Sequence, residues 1–143
     1  MNMDTDVVSE YLNNVIGFTV GGYHPLMGIF ATMQVIDVLM GVSKGFYFKE
    51  LSSRVMRQGI SRKGTQWLIV VVAHMVDLIL FEGTNSMISI VLLAYIANEG
   101  LSIIENAAEM GVLVPDELKK HLKQVQNRAK IEEEKKKEEE EED

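Results

Sequence analysis

The amino-acid sequence predicts an all-α membrane protein with about three transmembrane helices. Three observations predict it. Three apolar stretches follow one another between His24 and Ala97. The second of them is apolar all round from Leu68 to Ala73, where a helix in water would show a polar face at 3.6-residue spacing. Among the first 118 residues, every lysine and arginine lies between Lys44 and Lys63, the clustering that the positive-inside rule expects of one cytoplasmic connection.

The elements follow in order. Residues 1–23 form an N-terminal amphipathic segment, in which Val7, Val8, Tyr11, Leu12, Val15 and Ile16 recur at helical spacing with acids between them. A helix lying on the outer surface suits that pattern better than a span, with a break at Gly17, Gly21 and Gly22. Residues 24–111 form the transmembrane domain, with spans over about 25–43, 65–82 and 85–104. Pro25 suits the first turn of the first span, and Gly111 suits the C-cap that follows the third.

Each span is short for a hydrocarbon layer of roughly 30 Å, which wants about 20 helical residues. Trp67–Phe81 offers ten Leu, Ile, Val or Phe residues against Asp77 and His74. On insertion scales that is roughly 3–6 kcal/mol gained, against about 2.5–3.5 lost for the acid alone. Insertion is favourable by a small margin, and such a helix gains by turning its polar side toward protein or water.

The segment 44–64 is expected as a cytoplasmic basic loop. It carries Lys44, Lys49, Arg54, Arg57, Arg62 and Lys63 against Glu50, and these cations set the topology. The N-terminus is then outside, the turn at 82–85 outside and the C-terminus inside, which an odd number of spans requires. The first basic residue is Lys44, so the positively charged start of a secretory signal is missing. Residues 112–130 read as a cytoplasmic amphipathic helix with the stripe Leu118, Leu122, Val125 and Ala129. Residues 131–143 read as a charged tail, disordered or helical.

Polar residues inside the spans align. Gln34, Asp37, Gly41 and Lys44 share one face of the first helix; Gln66, His74 and Asp77 share one face of the second; Asn98, Ser102, Glu105, Asn106 and Glu109 cluster on the third, with Glu99 toward its inner end. Gln34, Asp37, Gly41, His74, Asp77 and Glu99 are the pore-lining or assembly-face candidates. Two readings stand side by side: the stripes are hidden in one assembly state and line water in another, or the acids and the histidine bond one another inside a static bundle. No catalytic motif, metal set or cofactor site is present. Cysteine is absent, and His24, His74 and His121 are far apart. The basic segment is explained by topology and lipid headgroups, not by nucleic acid.

Several blocks resemble a known family, the phage holins grouped with the clostridial toxin-secretion holins. They are IDVLMGV in the first span, LSSRVMRQGISRKG before the second, HMVD near its end, and YIANEGLSIIENAAEMGVLVPDELKKHL in the third span and beyond. Together they cover about residues 30–126. The resemblance implies a homo-oligomer in the bacterial cytoplasmic membrane. It implies lesions opened at a programmed time, through which an endolysin, or in some relatives a toxin, crosses. An antiholin partner belongs to the same picture. An antiholin or regulatory membrane protein of the same fold, and a small ion channel or transporter, are the competing functions; an enzyme is not.

Overall fold

In the computed structural model, residues 3–20 and 25–141 are described. Five helices account for the fold, with no strand among the described residues: α1 (Met3–Val20), α2 (Pro25–Tyr47), α3 (Ser53–Leu80), α4 (Ser86–Glu109) and α5 (Asp116–Glu141). The three central helices have 23, 28 and 24 residues and are apolar enough to cross a membrane. At 1.5 Å per residue they run about 35, 42 and 36 Å, more than a hydrocarbon layer of roughly 30 Å needs.

The second span begins earlier than its apolar run. The segment 44–64, expected as a loop, is mostly helical. Lys44 lies on α2, Arg54, Arg57, Arg62 and Lys63 lie on α3, and only Lys49 sits in the short connection. The reason is local. Residues 53–64 contain no proline and only two isolated glycines, and a helix tolerates an isolated glycine at about 1 kcal/mol. α2 instead ends in a Schellman turn: the N–H of Lys49 donates to the Phe46 carbonyl at 3.2 Å and that of Glu50 to the Gly45 carbonyl at 2.9 Å, with Lys49 left-handed at φ 57°. α4 ends the same way. Gly111, at φ 82°, donates to Ala108, and Val112 donates to Ala107.

α4 is the hub, with α2, α3 and α5 all packed on it, whereas α2 and α3 touch over a short stretch. Phe30, Val70, Ala73, Ile88 and Leu92 form the buried core. Phe30 lies 5.1 Å from the Trp67 ring and 5.6 Å from that of Tyr95. The outward faces of the spans are apolar: Val35, Leu39, Leu68, Val72 and Ile79 are all exposed. Apolar outside with a polar seam inside is the arrangement that lipid favours.

α1 packs against α3 and exposes Val7, Val8, Tyr11, Leu12 and Val15. α5 is one helix through residue 141, so the charged segment from Ile131 continues it. Its first turns fold back on α4. Gln126 donates to Asn98 at 2.6 Å, Ala129 is buried, and a Cβ on Gly100 would meet Leu122 at 2.9 Å and Met33 at 3.1 Å. The bare Gly100 therefore leaves room on α4 for Leu122 of α5 and Met33 of α2.

Candidate functional site: a polar column inside the bundle

The polar residues of the three spans form a column along the bundle axis. Its first tier joins α2 to α3. The Gln34 amide donates to Gln66 Oε1 at 2.8 Å, and the Trp67 indole N–H donates to Gln34 Oε1 at 2.8 Å. Three residues further along α2, the second tier joins all three spans. Lys63 Nζ lies 3.0 Å from Asp37 Oδ2 and also pairs with Glu99. These side chains are 15%, 16% and 7% exposed. One cation thus holds two carboxylates out of water, and removing one partner of such a set is far costlier than its net contribution suggests. The third tier lies at the connection 48–52, where Lys44 pairs with Glu109 at 2.6 Å and donates to Asn106 at 3.3 Å. Its partial exposure makes it worth less.

At the other end Asp77 stands apart from the column. It is fully buried, and its two carboxylate oxygens accept the backbone N–H of Met87 at 2.8 Å and of Ile88 at 2.9 Å. Asn85 is the N-cap residue before α4, and its own side chain makes no cap bond. Asp77 therefore supplies from α3 the acceptors that the orphan donors of the first α4 turn need. A carboxylate is also the charge that the positive end of the helix dipole favours. His74, one turn earlier, is buried, and its Nδ1 has no hydrogen-bond partner among the described residues.

The candidate residues accordingly separate. Gln34, Asp37 and Glu99 meet in the column and are joined by Lys63, which sequence reasoning assigns to topology alone. His74 and Asp77 lie at the 81–85 end, and Asp37, His74 and Asp77 do not bond one another: Asp37 sits near the middle of α2 and pairs with Lys63, and both Asp77 oxygens are taken by α4. Gly41 lines a cavity near the 48–52 connection. Gly45 is the residue that sequence reasoning misses, although Gly41-x-x-x-Gly45 is a spacing that brings helices close. Here Gly45 serves the chain itself, since a Cβ there would meet Leu51 Cδ1 at 2.8 Å. The column is an arrangement for holding charge inside a membrane.

The sequence matches a family model, that of the bacteriophage holin family, over residues 14–127, from within α1 to within α5. The chain belongs to the bacteriophage holin family. A probable holin of Bacillus phage phi105 is 37% identical over 102 residues, 71% of this chain and 74% of that protein. An uncharacterized 14.9 kDa protein in the nagH 3' region of Clostridium perfringens is 43% identical over 93 residues, 65% of this chain and 70% of that protein. An uncharacterized Bacillus subtilis protein is 37% identical over 102 residues, 71% of each chain. No solved structure matches. The holin family is one of membrane pore formers, not of enzymes. As a member with three apolar helices, this chain is a multi-pass protein of the cytoplasmic membrane with a holin role.

Proposed function

We propose that the chain accumulates in the bacterial cytoplasmic membrane with its N-terminus outside and its C-terminus inside, assembles with copies of itself, and opens lesions at a programmed time. An endolysin then crosses and the host cell lyses. One observation carries this reading: Gln34, Asp37, Lys63 and Glu99 are sealed in the interior while Val35, Leu39, Leu68 and Val72 face outward. A closed bundle of this kind is tolerated by lipid as a single copy. In a larger ring, helices that turn about their axes can present the same column to water, and Asp37, Glu99 and the neighbouring Gly41 then line the opening, with His74 and Asp77 on the assembly face. The basic residues 44–63 hold their end of the bundle on the cytoplasmic side.

Inducible expression in a bacterium tests the reading, following membrane potential and culture density with and without a co-expressed cytosolic endolysin. The expected result is abrupt depolarisation at a reproducible time, with lysis only when the endolysin is present. Depolarisation without endolysin-dependent lysis would assign a small channel. Uninterrupted growth would assign an antiholin.

A further inference from the structure

α5 meets the middle of α4, not its end. Gln126 bonds Asn98, and Leu122 lies over Gly100. α4 has 24 residues and runs about 36 Å, so a hydrocarbon layer of roughly 30 Å can slide along it by only about 6 Å. Counted back from Glu109 at about 1.5 Å per residue, Gly100 stays at least about 7 Å inside that layer and Asn98 at least about 10 Å inside. Tilting α4 deepens both. α5 turns back after Gly111 and therefore enters the layer alongside α4.

The outer side of α5 does not suit lipid at that depth. Leu122, Val125, Gln126 and Ala129 are half-buried or buried, while Lys123, Gln124, Asn127 and Arg128 are exposed. Neither Lys123 nor Arg128 makes an ion pair among the described residues. The helix then continues unbroken to Glu141. Residues 130–141 are all charged except Ile131, over a further rise of about 18 Å. A lysine near the boundary can reach the headgroups, but a row of charges facing hydrocarbon is strongly disfavoured. α2 and α3 are the contrast, with Val35, Leu39, Leu68 and Val72 on their outward faces. The molecule thus combines faces made for lipid with a docked helix whose outer face requires water.

We propose that α5 docks on α4 in the open lesion, where its outer face borders the lumen, and lies off α4 on the cytoplasmic side in the copies that accumulate beforehand. A water-filled lumen satisfies both faces of α5 at membrane depth: Leu122 and Ala129 stay against the bundle, and Lys123 and Arg128 stay hydrated. When α5 is off, it leaves behind an amide, Asn98, and a bare glycine, neither of which carries charge into lipid. The α4 side of each copy is then the side that turns to water. The inference rests on the lesion reading and adds to it which helix walls the opening.

The test is disulfide trapping in the full chain, which has no cysteine of its own. Gly100→Cys is combined with Leu122→Cys, since a Cβ on Gly100 stands 2.9 Å from Leu122 Cδ2. Induced cells are treated briefly with a membrane-permeant oxidant at intervals, and membrane potential is followed in the same culture. Bridging is expected in a minor population before depolarisation, roughly 10% of chains or fewer, and in most chains after it. Gly45→Cys with Leu51→Cys reports the reach of the oxidant: a Cβ on Gly45 lies 3.7 Å from Leu51 Cβ, within the span of a disulfide, and this pair is expected to bridge at both times. Asn98→Cys with Gln126→Cys, whose side chains meet at 2.6 Å, replaces the first pair if that variant does not accumulate. Full bridging before depolarisation would overturn the proposal, because α5 would then be docked in the closed membrane state under cover of another copy. So would depolarisation with no bridging while the control pair bridges. A wild-type chain that never depolarises its host would instead sink the lesion reading and this inference with it.

Discussion

Lys63→Met is expected to weaken the closed bundle by roughly 3–5 kcal/mol and to bring depolarisation forward in an induced culture. The substitution keeps the length and apolar stem of the side chain, so packing changes little. What it removes is the one cation between Asp37 and Glu99. Two carboxylates then share a buried site, and one must take up a proton or the helices must part to admit water. Either way the closed state loses more than any state in which the column is wet. Two measurements check the outcome: the denaturant midpoint of the detergent-solubilised chain, and the time from induction to loss of membrane potential. The triple change Asp37→Asn, Lys63→Met and Glu99→Gln removes the charges together and is expected to recover most of the lost stability. Wild-type midpoint and timing in Lys63→Met alone would show that the ionic tier is not what keeps the bundle closed.

Asp77→Ala carries the second large effect. Its carboxylate is the acceptor for two N–H groups of the first α4 turn, in a place where no water replaces it. Each orphaned donor costs about 1–3 kcal/mol, so roughly 2–6 kcal/mol falls on the α3–α4 hairpin. That matches or exceeds the narrow margin with which the second span inserts. The alanine variant is expected to disappear from the membrane fraction, as read by immunoblot of fractionated cells. Asp77→Asn keeps one acceptor oxygen and is expected to accumulate, with a shifted triggering time. Full accumulation and normal timing of the alanine variant would remove the capping role of Asp77.

The number and nature of the spans are legible in the sequence because they depend on composition alone: three apolar runs, two polar-rich intervals and a one-sided distribution of Lys and Arg. The stripe Gln34, Asp37, Gly41, Lys44 is legible as well, since helical spacing fixes which residues share a face. What those residues meet is not. Lys63 lies at the edge of a basic cluster, where topology explains it fully, and only packing reveals that it bends inward to two acids contributed by other helices. Asp77 reads as an acid in a span; its use depends on a tight turn of residues 81–85, in which Glu82 and Asn85 adopt left-handed φ of 51° and 58°, unusual for residues other than glycine. The stripe on α5 is visible as Leu118, Leu122, Val125 and Ala129, but its partner is a glycine, Gly100, whose signal is an absence of side chain. The extent of α3 escapes for a related reason. Charged residues at 53–63 look like a loop to an argument from hydropathy, yet nothing in them interrupts a helix.

The contact of the tilted Phe30 ring with Trp67, with the indole N–H given to Gln34, has an optical consequence. Trp67 is the one tryptophan in the chain, and it stands at the short stretch where α2 and α3 touch. Its ultraviolet emission therefore belongs to a single contact, in native protein without any label. While the two helices are together the indole is screened by an aromatic neighbour and a fixed amide. When they separate into a hydrated state, its emission moves to longer wavelength. A membrane suspension of this protein thus carries its own clock: the colour of one residue marks the moment at which the helices let go, independently of any ion or enzyme that crosses afterwards.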